Sequence, residues 1–326
     1  MRMRLLGALL ALSVLCAAAP PRAFSAKLIP GAFPTDRQPD GNTIVFEDAR
    51  GLIVVDTGRH KEHQQVILDL ARARGKPIVA IVNTHWHLDH SGGNQELRAV
   101  YPHARLYTSR AVYGALDHFL ARSLEQARKM LADPTVSEAD KAEIRLGYDA
   151  ISDRRDLLPD VPVTGTLRLP YAGRHLELRL VPRAATEGDV WVYDPRTHVI
   201  AAGDLVVLPL PFFDTACGEG WRQALAEIDR TDFMTLYPGH GPALSHQALS
   251  LYRWAFDRLL DCANSASLKG SCADGWVRDA GPLLTTAQDR TRSREYLEYY
   301  IDKVLRDPKM QAEYCGPPGP REPISG

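Results

Sequence analysis

A six-residue segment, His85-Trp86-His87-Leu88-Asp89-His90, carries four possible metal ligands. It follows the apolar run 78–82, which is typical of a buried β-strand. In the extended chain that leaves a strand, side chains two residues apart point the same way, so His85 and His87 can share one metal ion. Asp89 and His90 precede Ser-Gly-Gly, where we expect a turn or a helix to bring them towards a second, adjacent position. Imidazole and carboxylate together suit zinc, and iron or manganese is also possible.

The pattern H-x-H-x-D-H after a strand resembles the signature of the metallo-β-lactamase fold superfamily. The resemblance implies an α/β (α+β) fold, a four-layer αββα sandwich. It also implies further metal ligands: Asp204 in an A-G-D segment, as a carboxylate near both metal positions, and His240 in a P-G-H segment, beside Asp89 and His90. Asp56, in D-T-G, is expected to support the site without binding metal. A looser resemblance, over about residues 43–242, is to the secreted quinoprotein relay system metallohydrolases.

One ligand that the resemblance implies is absent. The superfamily places a third histidine for the His85/His87 metal in a segment like G-H-T-x-G-D, and here that segment reads Ala184-Ala185-Thr186-Glu187-Gly188-Asp189. Ala185 stands at the histidine position, and alanine has no ligand atom. Three outcomes stay open: the second metal position is weak or empty, Glu187 or water replaces the histidine, or the site is degenerate. We therefore expect one or two zinc ions per chain.

The ligand set predicts hydrolysis, because such a metal activates a water molecule and polarises a carbonyl or phosphoryl oxygen. Asp89 is both a candidate ligand and the candidate catalytic group that orients the water and moves its proton. We expect a small ester, thioester, lactone or amide as substrate. Two alternatives remain: an iron-dependent oxidoreductase that acts on sulfur compounds, and a non-catalytic periplasmic protein that binds metal or ligand. Ala185 argues against a β-lactamase.

The elements around these residues alternate between strand and helix. Residues 43–46 and 52–55 read as a hairpin, and an amphipathic helix then runs to about Arg74. We expect His60 and His63, at its start, to be solvated and not to bind metal. Residues 109–158 read as a helical insertion, either simply packed or forming a wall that limits access to the metals. Residues 245–326 read as a helical C-terminal extension.

Composition fits a globular protein with a small-molecule substrate. The chain has 326 residues, 45% of them hydrophobic, and a net charge of −1 with both signs mixed. The absence of a basic patch in the sequence argues against nucleic acid as a partner.

Targeting and cysteines point to an oxidising compartment. The basic start and short apolar stretch of residues 1–25 predict a secretory signal peptide, with one domain over 26–326 and no integral membrane segment once the signal is removed. The protein is then secreted, and we expect it in the periplasm. Four cysteines remain, which allow three pairings. The short loop favours Cys262 with Cys272, which leaves Cys217 with Cys315.

Overall fold

Two β-sheets stacked face to face form the centre of the molecule. The computed structural model describes residues 26–34, 36–169 and 175–316, so the expected signal peptide lies outside the described residues. The first sheet has six strands in the order β1-β2-β3-β4-β5-β6, and the second has five in the order β11-β10-β9-β8-β7. The strands are β1 (Lys27–Ile29), β2 (Thr43–Glu47), β3 (Leu52–Val55), β4 (Ile78–Val82), β5 (Arg105–Ser109), β6 (Val161–Val163), β7 (Thr166–Arg168), β8 (Glu177–Pro182), β9 (Gly188–Asp194), β10 (Val199–Val207) and β11 (Thr235–His240).

Alternation along each strand divides the core into layers. In β4, Ala80 and Val82 pack between the two sheets, whereas Ile81 faces the helices outside the first sheet. In β9, Val192 packs between the sheets and Trp191 faces the helices outside the second. Since successive side chains of a strand point to opposite faces, a strand buried on both faces reads as a continuous apolar run. The αββα fold expected from the sequence is confirmed.

Helices cover both outer faces and one end of the sandwich. They are α1 (Lys61–Arg74), α2 (Leu88–Ser91), α3 (Asn94–Val100), α4 (Ala111–Asp117), α5 (Phe119–Ala132), α6 (Glu138–Ser152), α7 (Gly218–Asp229), α8 (His246–Ala263), α9 (Lys269–Asp279), α10 (Ala287–Tyr300) and α11 (Pro308–Cys315). Helices α1 and α3 pack on the first sheet, and α7 to α10 pack on the second.

The helical insertion consists of α4, α5 and α6, which share a separate apolar cluster with the metal-motif segment. Trp86 and Leu88 pack there against Leu116, Leu120 and Ile151. Helix α5 ends at Ala132, directly before Asp133-Pro134, because proline disfavours helical backbone in the residue before it. The insertion is therefore anchored on the same residues that introduce the candidate ligands.

Two disulfides fix the C-terminal helices, with the pairing favoured by the sequence. Cys262 joins Cys272 across 10 residues and links α8 to α9. Cys217 joins Cys315 across 98 residues and ties the end of α11 to the start of α7. The second bond therefore anchors the loop directly before α7, which reaches the candidate metal centre. None of the helices in the described part of the chain is both long and apolar enough to cross a bilayer.

Candidate metal centre

All six candidate ligands meet where strands of the two sheets end. His85 and His87 follow β4, and the short helix α2 carries Asp89 and His90. Asp204 lies in β10 and His240 ends β11, a strand that runs parallel to β10. The sequence therefore brings residues separated by 150 positions in the chain, His90 and His240, to a distance of 3.3 Å between their Nε2 atoms.

Two glycines make this approach possible. Gly203, before Asp204, has φ +54 and faces the side chain of Thr84 so closely that a Cβ would collide with it. A Cβ at position 239, before His240, would collide with the carboxylate of Asp204. The glycines of the A-G-D and P-G-H segments are thus required by close packing as well as by backbone conformation.

The first ligand cluster has four donor atoms. Asp204 Oδ1 lies 3.1 Å from His90 Nε2 and 3.7 Å from His240 Nε2. Asp89 Oδ2 lies 3.5 Å from His90 Nε2 and 3.1 Å from His240 Nε2. Tetrahedral ligands about 2.0 Å from a zinc ion are separated from one another by about 3.3 Å. The spacing of these atoms therefore fits one tetrahedral zinc ion.

The second cluster has three donors and is more open. His85, His87 and Asp204 each offer an atom within 4.8 Å of the others. The second carboxylate oxygen of Asp204, Oδ2, lies 3.8 Å from His85 Nε2. Asp204 therefore faces both clusters, one oxygen to each, as a shared carboxylate must.

Asp56 fixes the orientation of His90. Its Oδ2 lies 2.9 Å from His90 Nδ1 and also accepts a hydrogen bond from the Thr84 hydroxyl. Its Oδ1 accepts from the backbone N–H of Thr84. With Nδ1–H donating to Asp56, the Nε2 lone pair of His90 points into the first cluster. Such carboxylate–histidine pairs orient metal ligands and raise their basicity.

Thr215 has the same role towards His87, although no sequence motif indicates it. Its hydroxyl donates to the carbonyl oxygen of Ala185 at 3.2 Å, so a lone pair remains to accept from His87 Nε2–H at 3.1 Å. That bond leaves Nδ1 as the ligand atom of His87. The contact joins residues 128 positions apart, which no local motif could reveal.

Neither candidate residue of the missing-ligand segment supplies a donor atom to the clusters of the described residues. Ala185 is 3% exposed and packs in the core of the second sheet. Glu187 is exposed, and its carboxylate lies beside Gly114 in α4. Among the described residues, Glu187 is in neither ligand cluster.

The electrostatics of the site favour a cation. Burial lowers the pKa of His85 well below its usual value and also lowers the pKa of His87, so both rings keep a free lone pair. Burial opposes protonation of His90, but Asp204, Asp89 and Asp56 raise its pKa well above the usual value. Three carboxylates around one buried ring concentrate negative charge, which favours a bound cation.

Two orphaned atoms give an independent test of the fit. His85 Nε2 and Asp204 Oδ1 are buried and make no hydrogen bond within the described part of the protein. A buried polar atom without a partner costs free energy. Zinc fits the donors that surround both atoms. The first cluster offers four imidazole or carboxylate donors and the second offers three, and Asp204 belongs to both.

His60 and His63 differ from the expectation that they are solvated. Both are buried, with 2% and 7% of their surface exposed. His60 Nδ1 bonds to Asp40 at 2.8 Å and Nε2 to Glu143 of α6 at 3.1 Å, whereas His63 Nε2 bonds to Thr43 at 2.8 Å. Among the described residues, neither belongs to a ligand cluster. The sequence could not show the burial because the partners of His60 include a residue of the distant insertion.

A cleft of about 1330 Å³ opens onto the candidate ligands. His87, Asp89 and Asp204 lie on its floor, and helices α5 and α6 of the insertion form a wall. The insertion thus borders the route to the metal centre. This position agrees with the interpretation of its sequence as a wall beside the metals.

Comparison with protein families gives a match over the region that contains every candidate ligand. The family model described as Metallo-beta-lactamase superfamily matches residues 37–240. An atrochrysone carboxyl ACP thioesterase from Pseudocercospora fijiensis is 30% identical over 105 residues, 32% of this chain and 28% of the relative. A hydroxyacylglutathione hydrolase from Gloeobacter violaceus is 43% identical over 79 residues, 24% of this chain and 30% of the relative. A linear primary-alkylsulfatase from Pseudomonas sp. is 23% identical over 222 residues, 62% of this chain and 41% of the relative. The chain thus matches less than half the length of each.

Solved structures agree on the fold. The sec-alkylsulfatase Pisa1 from Pseudomonas sp. superposes with a TM-score of 0.53 at 19% identity, covering 82% of this chain and 49% of that one. The DIM-1 metallo-β-lactamase gives a TM-score of 0.51 at 16% identity, covering 72% of this chain and 93% of that one. At these identities the likeness concerns the fold alone.

Proposed function

Since this chain belongs to the metallo-β-lactamase superfamily, we propose that it is a secreted, zinc-dependent hydrolase that attacks a small ester, thioester, lactone or amide with a metal-activated water. The observation that carries the proposal is the convergence of Asp89, His90, His240 and Asp204, whose donor atoms have tetrahedral spacing. Two of them, Asp89 and Asp204, line a cleft large enough for a small-molecule substrate.

The metal site of the proposal is altered and asymmetric. The four-donor cluster holds one zinc ion tightly, and His85, His87 and Asp204 form a weaker position because Ala185 supplies no third imidazole. Since Glu187 is exposed beside α4, water is the proposed replacement for the missing ligand. A site with three protein ligands and one open position is the arrangement that catalytic zinc uses.

The residues of the chain divide the chemical work. A zinc ion bound at the metal centre would act as a Lewis acid and would lower the pKa of a water molecule that it binds. Asp89 lies on the cleft floor, where its carboxylate orients the attacking water and takes up its proton. Asp56 and Thr215 hold the rings of His90 and His87 in orientation.

Secretion and domain extent belong to the same proposal. Residues 1–25 act as a signal peptide, and residues 26–326 form one domain that functions in the periplasm. The two disulfides support an oxidising compartment.

A second candidate function is favoured by one observation. His85, His87 and Asp204 form the two-histidine, one-carboxylate set that non-haem iron oxygenases use. An iron-dependent oxidoreductase that acts on sulfur compounds therefore remains the alternative, and metal analysis of the purified protein separates it from the zinc hydrolase.

Hydrolysis is tested with a panel of ester, thioester, lactone and amide substrates. We expect turnover that a chelator abolishes and zinc restores, and an Asp89→Asn variant with kcat lowered by about 10²- to 10⁴-fold. His240→Ala should lose zinc and activity. The matched control is His103→Ala, because His103 is exposed and lies outside both ligand clusters. Activity that survives chelation, or ligand binding without turnover of any substrate, would contradict the proposal.

A further inference from the structure

The lining of the cleft above the candidate metal centre combines apolar and charged side chains. The apolar residues come largely from the insertion and from nearby aromatic residues: Phe33, Trp86, Phe119, Met130, Ile151 and Phe212. The charged residues are the guanidinium groups of Arg37, Arg59 and Arg292 and, besides the candidate ligands, the carboxylates of Asp36, Asp140, Glu143, Asp214 and Glu295. A ligand that fills this cleft therefore contacts apolar surface and charged groups together.

Arg59 differs from the other two arginines in what its side chain contacts. Arg37 forms an ion pair with Glu62. Arg292 lies 4.3 Å above the ring of Phe33 and donates to the carbonyl oxygens of Phe33 and Pro34. The side chain of Arg59 has no hydrogen bond and no ion pair with any residue in the described part of the chain, and its Nε is buried. It is the arginine of this cleft whose donors remain available.

The backbone around Arg59 is held rigidly. Its N–H donates to Asp40 Oδ1 at 2.7 Å, and its carbonyl oxygen accepts from Gln64 Nε2 at 3.0 Å. The side chain extends into the cleft past Gly147 of α6, and its charge lies within electrostatic reach of Asp89. A guanidinium beside the floor, carried on a fixed backbone and with its donors unused, can bind an oxyanion through paired hydrogen bonds.

We propose that Arg59 binds an anionic oxygen group of the substrate, a carboxylate, sulfate or phosphate, while the apolar body of the substrate contacts the apolar residues of the cleft. The inference rests on the proposed hydrolysis and names the substrate class of the same site: anionic amphiphiles. The Nε of Arg59 is buried without a partner, and an anion bound there accepts its hydrogen bond and so compensates the cost of burying that polar atom.

The experiment measures binding, which needs no turnover. Isothermal titration calorimetry of the zinc-loaded protein uses three probes with similar alkyl chains: octyl sulfate, nonanoate and neutral octanol. The variants are Arg59→Met, which keeps the length of the side chain without charge, and Arg59→Lys, which keeps the charge. The control is Arg37→Met, because Arg37 lines the same cleft but is already paired with Glu62. The zinc content of every variant is measured to exclude an effect on the metal.

We expect Arg59→Met to weaken the binding of both anions by roughly tenfold or more, and to leave the binding of octanol unchanged. Arg59→Lys should retain most of the anion affinity, and Arg37→Met should behave as the unmodified protein. An equal loss of affinity for all three probes would overturn the inference, because Arg59 would then act through Asp89 or through the fold. Unchanged anion binding in Arg59→Met would overturn it as well.

Two hydrolysis measurements show whether the anionic group is itself cleaved or lies elsewhere in the substrate. If the sulfate is itself the group that is cleaved, octyl sulfate is hydrolysed and nonanoate only competes with it. If the anion is remote from the cleaved bond, a monoalkyl ester of a dicarboxylic acid is hydrolysed and octyl sulfate only competes. Both results support Arg59 as the anion-binding residue. Arg59-dependent binding without any hydrolysis refutes the proposed function alone, whereas hydrolysis of neutral esters with Arg59→Met fully active refutes this inference alone.

Discussion

Replacement of Thr215 by valine should weaken one metal position and leave the other intact. Thr215 is 2% exposed, and its hydroxyl accepts the hydrogen bond that fixes the His87 ring with Nδ1 free. Valine has nearly the same shape but no acceptor, so the partly buried Nε2–H of His87 loses its protein partner at a cost of about 1–3 kcal/mol. That cost corresponds to roughly a tenfold to hundredfold loss of metal affinity, the range found when the partners of metal-binding histidines are removed.

The assay is a zinc titration of metal-free protein in competition with a chromophoric chelator. We expect two binding steps, of which only the weaker one shifts in Thr215→Val. Thr215→Ser is the matched control, since it retains the hydroxyl and should bind zinc as the unmodified protein does. The reasoning is refuted if the weak step does not move, if both steps move equally, or if serine behaves like valine.

Three further changes test other parts of the site. Asp204→Asn should lower zinc content at both positions, because one carboxylate oxygen faces each cluster; full content by mass spectrometry would contradict the shared role. Ala185→His should bind a second zinc ion more tightly while lowering the free energy of unfolding by about 1–3 kcal/mol, since a larger side chain enters a packed core; titration and denaturation measure the two effects. The hydrogen bond to Asp40 raises the pKa of His60, and a second bond to Glu143 adds to the effect. This contribution to stability is complete below the unfolded-state pKa of about 6.5 and is lost as the pH rises through the folded-state pKa. Between pH 6 and pH 8.5, the free energy of unfolding of Glu143→Gln should therefore fall less than that of the unmodified protein. Urea denaturation measures both values, and an identical fall would contradict the contribution of the bond between Glu143 and His60.

The fold was predictable because its signals are local. Each strand near the site alternates between two buried faces, and the hexapeptide directly follows such a strand. The order of D-T-G, H-x-H-x-D-H, A-G-D and P-G-H along the chain carried the resemblance to the superfamily, and the family match over residues 37–240 confirms it. The positions of Asp204 and His240 followed from that order.

What escaped prediction depends on contacts between distant segments. Thr215 is linked to His87 across 128 residues, and Glu143 to His60 across 83. The expectation that His60 and His63 are solvated was wrong because an amphipathic pattern does not reveal which insertion will cover a helix start. Arg59 is unusual only because its neighbours in space do not pair with it, and the sequence contains no signal for that.

The most direct test of the account is the position of zinc in a crystal grown with one equivalent of the metal, located by anomalous diffraction at the zinc edge. We predict one strong peak, surrounded by Asp89, His90, His240 and Asp204, with little density between His85 and His87. A main peak at the His85/His87 position, or no ordered zinc at either cluster, would contradict the proposed metal centre.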